Sequence, residues 1–425
     1  MAAATLRVAG VLQVPGDKSI SHRSLMFGAL ATGRSRVRGL LQSADVIATA
    51  DSLRAMGWTI PPLASEMVID GCGMRPRDGG ADAALPCANS GTTARLMSGI
   101  ASAQRVSSVL DGDASLRTRP MRRVSEPLEA MGARFEWLGT EGRVPMRITG
   151  GALRSIDWTL GVASAQVKSA ILLAGLCSGT PVRVTEPLET RDHTERFLRA
   201  AGASIHVQGR AVTLGATERL NPVDVEVPGD PSSAAFFAAL AAGAGEGSLV
   251  LQGVLLNPRR TGFLRVLERM GAVVHVESAR ESAGEPVGDL VVRGSSLRGT
   301  SIEPDEVPSL IDEVPVLAVL AALAEGETTV AGAEELRVKE SDRIATVVSN
   351  LRACGVDAEE RPDGLVVRGP SRVQDASIVT HGDHRIAMAF GILGALTGRD
   401  LRIDDPACVN VSFPSFWPDL ARVTR

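Results

Sequence analysis

Along the chain, short runs that alternate apolar and polar residues sit beside longer stretches whose apolar positions fall three and four apart, the periods of strands and helices. One junction between them recurs five times: "LRAMGWTI" at Leu53, "LEAMGARF" at Leu128, "LRAAGASI" at Leu198, "LERMGAVV" at Leu267 and "LRACGVDA" at Leu351. Each predicts the last turn of a helix, a glycine in the left-handed conformation that closes it, and then a strand. A short apolar segment lies upstream of each: "VRGL" at Val37, "VLDGD" at Val109, "VRVTE" at Val182, "LVLQG" at Leu249 and "TVAGA" at Thr329. A sixth, "LRIDD" at Leu401, precedes "FPSFWPDLARV". One or two such junctions occur in any α/β protein. Six in near-even register indicate an internal repeat, with a period longer than that of solenoids.

A tetrapeptide divides the six units into three and three. "VPGD" occurs at Val14–Asp17 and again at Val227–Asp230, and Pro-Gly pairs suit sharp crossings of the chain. The pattern predicts two pseudo-equivalent α/β domains of three units each. Residues 15–228 would form one, and residues 1–14 with 229–425 the other, with hinge crossings near 14–17 and 227–230. A chain of 425 residues is also longer than one hydrophobic core usually holds. A cleft between two such domains is a common place for a small-molecule site.

Composition mainly excludes. Hydrophobic residues at 44% and charged residues at 22% describe an ordinary globular protein. With no Tyr, four Trp and a net charge of −4, stacking platforms are few and a general polyanion binder is argued against. The five cysteines are scattered without a C-x-x-C pair, which argues against a disulfide framework or zinc site and for a reducing cytoplasm. Neither an export signal nor a membrane span is read, since the best uncharged stretch, Ser169–Val182, falls short of the roughly 18 to 20 residues a span needs. No metal-ligand spacing and no G-x-S-x-G elbow appears, so no metal and no cofactor is expected.

Charge placement carries the chemistry. Lys and Arg in a first helical turn are opposed by the helix dipole unless an anion sits there too. Yet Lys18 and Arg23 open the apolar run "SLMFGALA" beside Ser19 and Ser21, and His384 and Arg385 open "IAMAFGILGAL". "CANSGTTARLMSGI" exposes backbone N–H groups around Ser90, Gly91 and Thr92 and adds Arg95 one turn on. In "RVKESDRIATVV", Lys339 and Arg343 stand four apart, a like-charge pair that a bound anion, Glu340 or Asp342 would offset. Any one of these clusters reads equally well as a solvated helix start. Together they point to a site for more than one anionic group. Asp312 and Glu313 precede the apolar stretch starting at Val314, where an acid serves as a helix cap or, near a cationic site, as a general base toward a hydroxyl.

At this level of detail the chain resembles the 3-phosphoshikimate 1-carboxyvinyltransferase (5-enolpyruvylshikimate-3-phosphate synthase) family. The resemblance runs through "PGDKSISHR", "NSGTTARL", "GDASLRTRPM", "SAQVKSA", "ETRDHTE", "VPGDPSSAAFF", "IDEVPVLA", "RVKESDR", "GDHRIAMAF" and "FPSFWPDL". It implies the enolpyruvyl transferase fold, an α/β inside-out barrel or prism of two pseudo-symmetric domains, each of three βαβαββ repeats, with the active site in the interdomain cleft. It implies transfer of the enolpyruvyl group from phosphoenolpyruvate to the 5-hydroxyl of 3-phosphoshikimate, with release of phosphate. By resemblance, 3-phosphoshikimate would be held by Lys18, Ser19, Arg23, Ser164, Gln166, Arg191, Asp312 and Lys339. Phosphoenolpyruvate would be held by Lys18, Gly91, Arg119, Gln166, Arg343 and Arg385, with Asn89, Thr92, Glu340 and His384 nearby. Asp312 would accept the hydroxyl proton, and Lys18 or Glu340 would protonate the methylene carbon, a Lys crowded by Arg having a lowered pKa; His384 joins them as a catalytic candidate. The substrates are the only partners expected, with glyphosate as a possible inhibitor, no nucleic acid or membrane, and a monomer.

Departures from the family pattern are specific. Val411 stands where many members have Lys, removing one phosphoenolpyruvate contact. "SAQVKSA", "RDHTE" and "GDASLRTRPM" match the second class of the family, in which Lys168 and Arg191 supplement the phosphate site, but "NPRR" at Asn257 has Arg259 where that class has Thr. The related transferase acting on UDP-N-acetylglucosamine is the nearest rival. It would require Asn after Lys18 and a loop Cys, whereas Ser19 follows here and "GDASLRTRPM" has no Cys. A non-catalytic anion-binding relative is the other alternative; it would not need Lys18, Asp312, Glu340 and Arg385 together.

Overall fold

The computed structural model describes residues 6–76 and 83–424. The chain divides into two compact units. The first comprises Gly16–Val227 and Glu281–Glu285, the second Met1–Pro15, Pro228–Arg280 and Pro286–Arg425.

Among the described residues each unit holds three sheets, and four of the six share one four-stranded plan; the sheet of Thr32–Arg38 and Glu66–Cys72 has three strands. In the first unit, Ala83–Pro86 lies parallel to Ser107–Asp111, which pairs antiparallel with Met146–Thr149, itself antiparallel to Arg134–Trp137. Helix Gly91–Ser102 links the two parallel strands and helix Arg122–Met131 precedes the hairpin, giving a βαβαββ unit. The strands Ile156–Thr159, Val182–Thr185, Ala211–Leu214 and Ile205–Gln208 repeat this order, as do Ser301–Ile302, Gly326–Val330, Gly364–Gly369 and Asp357–Arg361 in the second unit. Two sheets borrow their opening strand from a distant part of the chain. Val225–Glu226 runs parallel to Thr32–Arg38, and Arg7–Leu12 runs parallel to Glu246–Leu255. The last sheet has only Ala376–Ile378 beside Leu401–Ile403.

Every repeat contributes one buried helix and one amphipathic helix. In the first unit Lys18–Leu30, Gly91–Ser102 and Ala165–Ser178 are buried nearly all round, the pattern of central rather than surface helices. In the second unit Pro231–Gly243, Val314–Ala321 and His384–Thr397 take that place, and within each unit these helices pack on one another. A backbone contact sets how closely. A Cβ on Gly99 would lie 2.1 Å from the carbonyl oxygen of Ala170, so only glycine lets the Gly91 and Ala165 helices approach this far. The amphipathic helices, such as Arg122–Met131 and Gly262–Arg269, bury one stripe: Val124, Leu128 and Met131 in the first, Phe263, Val266 and Leu267 in the second.

The repeated tetrapeptide has a local physical role in both copies. Asp17 caps the Lys18 helix by accepting from Ile20 N at 2.8 Å, and Asp230 caps the Pro231 helix by accepting from Ser232 N at 2.8 Å. Ahead of the first cap, a Cβ on Gly16 would sit 2.2 Å from the Gly39 carbonyl oxygen. The "FPSF" stretch is core: Phe413 and Phe416 are buried against Phe237 with ring centroids 5.6 Å away in each case, a packing whose loss costs about 3–5 kcal/mol per ring.

Two local expectations are corrected. All five junction glycines have positive φ, but only four are followed directly by a strand. After Gly57 come Pro61 and Pro62, which cannot donate to a ladder, and the next strand waits until Glu66–Cys72. Lys339 and Arg343 do not share a helix face, because Asp342 caps the helix Arg343–Ala353 and Lys339 ends the preceding 3₁₀ turn.

Candidate functional site

The buried helices place their N-termini, and with them the candidate residues, in two clusters, one in each unit. In the first unit, Lys18 opens its helix and its Nζ lies 3.1 Å from Asp45. This carboxylate was missed by sequence reasoning, which counted only Arg neighbours around Lys18; in "SADVIATA" it looks like any acid in a first turn. Ser19 follows, its carbonyl accepting from Arg23 Nη1 at 3.0 Å. Arg23 also donates from Nε to Thr194 at 2.9 Å and from Nη2 to Ser169 at 3.0 Å. Burial pushes the Arg23 guanidinium down to about 10, Arg191 adding to this while Glu195, Asp17 and Glu285 oppose it. Arg191 is therefore an electrostatic neighbour of Arg23.

Gly91 opens the second buried helix, capped by Ser90, which accepts from Thr93 N at 3.0 Å. A Cβ on Gly91 would lie 2.8 Å from Arg95 Nη1 and 3.2 Å from Arg119 Nη1. The missing side chain thus leaves a notch with a guanidinium on two sides, and Arg119 is steadied by Asn89 Oδ1 at 2.7 Å. Ser164 caps the third helix, and Gln166 in its first turn accepts from Arg95 Nη1 at 2.5 Å and donates to Thr92 Oγ1 at 2.9 Å. Gln166 is the bridge between the second and third helices.

Lys168 belongs to none of this. It is fully buried, 2.8 Å from Glu186 and 2.7 Å from Glu195. The expectation that it supplements a phosphate site is corrected: two residues beyond Gln166 on a helix, it faces the other way, and its charge is held by two carboxylates. Burial pushes the Glu195 carboxyl up, with Lys168 opposing.

In the second unit the centre is a carboxylate. Asp312 lies in the 3₁₀ turn Ile311–Glu313 ahead of the Val314 helix. Its Oδ1 accepts from Arg343 Nη1 at 3.1 Å and from Lys339 Nζ at 3.4 Å, and its carbonyl accepts from Arg385 Nη1 at 3.1 Å. Arg343, 1% exposed, also donates to Asp383 Oδ2 at 2.8 Å and to Glu340 Oε2 at 2.6 Å. Burial would lower its pKa, but Asp383, Glu340 and Asp312 outweigh burial and the net shift is upward. Asp383 caps the His384 helix through Arg385 N at 3.0 Å. Burial opposes its charge, but Arg343 and His384 overcome that and hold its carboxyl below the usual range. Behind Asp312, Glu313 accepts from Ser232, and Arg260 donates to Ser232 and Asp230 at 3.1 Å each. Sequence reasoning missed this Arg260–Ser232–Glu313 chain, which joins residues far apart in the chain.

The first cluster brings together Lys18, Ser19, Arg23 and Arg191 around one helix start and Gly91, Arg119, Ser164 and Gln166 around the next two. The second brings together Asp312, Lys339, Glu340, Arg343, His384 and Arg385. Val411 is 39% exposed, at the end of the turn Pro406–Val411. Such clusters offer permanently charged, fork-shaped donors for carboxylate and phosphate, and one carboxylate fixed by cations.

Comparison with known proteins identifies the family. The family model described as EPSP synthase (3-phosphoshikimate 1-carboxyvinyltransferase) matches residues 3–420. The 3-phosphoshikimate 1-carboxyvinyltransferase of Herpetosiphon aurantiacus is 46% identical over 420 residues, covering 98% of this chain and 97% of that one. That of Aquifex aeolicus is 47% identical over 427 residues, covering 99% and 98%. Among solved structures, EPSP synthase from Acinetobacter baumannii matches with a TM-score of 0.89 at 43% identity, covering 99% of this chain and 96% of that one. The enolpyruvyl transferase NikO from Streptomyces tendae, at 17% identity and a TM-score of 0.73 over 99% and 96% of the two chains, shares the fold. With the family model matched over nearly its whole length and relatives at this identity and coverage, the chain belongs to the EPSP synthase family.

Proposed function

We propose that the protein transfers the 1-carboxyvinyl group of phosphoenolpyruvate to the 5-hydroxyl of 3-phosphoshikimate, giving 5-enolpyruvylshikimate 3-phosphate and inorganic phosphate on the route to chorismate and the aromatic amino acids. Both clusters serve this one pair of substrates. Residues 15–228 supply the 3-phosphoshikimate side through Lys18, Ser19, Arg23, Ser164, Gln166 and Arg191, with Asp312 and Lys339 reaching the 5-hydroxyl region. Residues 1–14 and 229–425 supply Arg343 and Arg385 to phosphoenolpyruvate, and Gly91, Arg119, Gln166 and Lys18 complete its binding.

The observation that carries the reading is the hold on Asp312: Arg343 and Lys339 on one oxygen and Arg385 on the carbonyl of the same residue. A carboxylate fixed this way is positioned to take the hydroxyl proton as the hydroxyl oxygen bonds to C2 of phosphoenolpyruvate. Lys18 or Glu340 delivers a proton to C3, giving a tetrahedral phosphoketal. Loss of phosphate, with return of a proton from C3 to the protein, restores the double bond. Lys18 starts from an ion pair with Asp45 and Glu340 from one with Arg343, so either group exchanges a protein partner for substrate. Arg343 uses its donors on Asp312, Glu340 and Asp383 and serves as organiser as well as anion ligand.

Glyphosate, a small phosphonate-carboxylate, fits the anion chemistry of the phosphoenolpyruvate side, where Gly91 leaves room beside Arg95 and Arg119. The protein acts as a cytoplasmic monomer on this reading. Its five cysteines are unpaired thiols, and no helix among the described residues is long and apolar enough to cross a membrane. The test is Asp312→Asn, which keeps shape and removes the base. Turnover falls about 10²–10⁴-fold while calorimetry still detects 3-phosphoshikimate binding; an Asn variant with undiminished turnover removes Asp312 from proton transfer.

A further inference from the structure

The segment Thr190–Glu195 holds three buried partners on three consecutive residues. His193 Nδ1–H donates to Glu285 Oε1 at 2.7 Å, with both side chains buried. Thr194 Oγ1 accepts from Arg23 Nε at 2.9 Å. Glu195 lies 2.7 Å from Lys168. The flanks are fixed too: Thr190 donates to Glu186, Asp192 forms an ion pair with Arg196 at 2.9 Å, and Arg196 reaches back to Glu285 at 3.6 Å and to the Gly284 carbonyl at 2.8 Å. Arg191 lies between these anchors. Every anchor but two comes from within Gly16–Val227; the Gly284 carbonyl and Glu285, 92 residues beyond His193, belong to the short stretch Glu281–Glu285 that completes the first unit.

We infer that Glu285 is a positioning residue for 3-phosphoshikimate, acting through the His193 and Arg196 contacts to hold the backbone of Arg191 where its guanidinium meets an anion beside Arg23. The inference rests on the reading that Arg191 and Arg23 bind this substrate. Glu285 touches no substrate itself. A buried carboxylate needs compensation, and it has it from a histidine donor and a guanidinium, both on the Arg191 side of the next helix. Removing the charge weakens the His193 contact and the longer Arg196 contact on one side of Arg191, while Thr190, Asp192 and Thr194 keep their other partners. Asp192, His193 and Glu285 also present ligand atoms within 4.8 Å of one another, a geometry that a divalent ion could use. Arg196 already lies against both carboxylates, so the positive charge the cluster needs is supplied by the chain, and an ion would have to displace it.

The experiment compares purified full-length wild type, Glu285→Gln, Arg191→Ala and the double variant by steady-state phosphate release, with thermal unfolding recorded for each. Glu285→Gln raises KM for 3-phosphoshikimate roughly tenfold, in the range of one weakened charge-assisted contact, and leaves KM for phosphoenolpyruvate within about twofold. Arg191→Ala raises the same KM at least as far, and the double variant adds little to it, as expected when one residue acts through the other. If Arg191→Ala leaves that KM unchanged, the underlying placement of the substrate is wrong. If Arg191→Ala behaves as stated but Glu285→Gln changes only the unfolding midpoint, raises both KM values alike, or adds its full effect to Arg191→Ala, Glu285 is structural and the inference is overturned. Turnover that depends on added zinc and is lost with a chelator would overturn it in favour of a metal site.

Discussion

Replacing Gly91 by Ala perturbs the anion site with little else changed. Gly91 is the first residue of its helix and does not have positive φ, so Ala introduces no backbone strain and gains slightly in helix propensity. The added methyl meets Arg95 Nη1 at 2.8 Å and Arg119 Nη1 at 3.2 Å, and nothing else within 3.4 Å. Both are the far ends of flexible side chains, so the clash is relieved by shifting guanidinium groups a few tenths of an ångström. Stability should change by less than about 0.5 kcal/mol. The shift falls on two cations at once, however, and Arg95 is also tied to Gln166 at 2.5 Å. Weakening one charge-assisted contact to the phosphoenolpyruvate anion by about 1–2 kcal/mol raises its KM roughly fivefold to thirtyfold, with KM for 3-phosphoshikimate nearly unchanged. Initial rates of phosphate release, with phosphoenolpyruvate varied at saturating 3-phosphoshikimate, read this directly. An unchanged KM for phosphoenolpyruvate, or a rise confined to 3-phosphoshikimate, refutes the placement of the notch.

Two further substitutions test the electrostatic account. His22 shares a hydrogen bond with Thr49 at 2.7 Å, and its pKa is driven down from 6.5 to about 3, chiefly by burial, with Lys18 and Arg23 contributing and Asp45 opposing. The unfolded chain therefore binds a proton between these values that the folded protein does not, so stability is full above pH 6.5 and falls on acidification. From pH 7.5 to pH 5 the loss through this group is about 2 kcal/mol; denaturant unfolding of His22→Asn at both pH values should show a correspondingly smaller loss, and an unaltered pH dependence would contradict the assignment. Lys168→Met leaves Glu186 and Glu195 buried without their cation and should destabilise by about 3–5 kcal/mol; near-normal stability combined with a selective rise in KM for 3-phosphoshikimate would restore Lys168 to the phosphate site.

What the sequence conveyed best was local. The junction glycines and the hydroxyl-rich helix start at Ser90 act within a few residues of themselves, so their geometry is written in neighbouring letters; the capping roles of Asp17, Asp230 and Ser164 were not read there. Lys18, Arg23, Arg343 and Arg385 stood out because cations at helix starts run against the dipole, whereas Ser164, Gln166, Arg119 and Arg191 entered only through the resemblance to the family. Residues whose role depends on long-range packing were not. Asp45 looks like any acid in a first turn, and meets Lys18 only because their helices pack. Lys168 shares a motif with Gln166, yet faces the opposite side. Glu285 and Arg260 sit in stretches with no helix-start pattern, and their partners His193 and Ser232 are distant in the chain. The site's cations also proved to be matched by carboxylates within their own clusters, Lys18 by Asp45 and Arg343 by Asp312, Glu340 and Asp383.

The most direct test of the central claim is phosphate release by the purified protein supplied with phosphoenolpyruvate and either 3-phosphoshikimate or UDP-N-acetylglucosamine. The account predicts release with 3-phosphoshikimate alone, accompanied by its 5-enolpyruvyl ether. Release with UDP-N-acetylglucosamine, or none with either acceptor despite measurable binding of 3-phosphoshikimate, would contradict it.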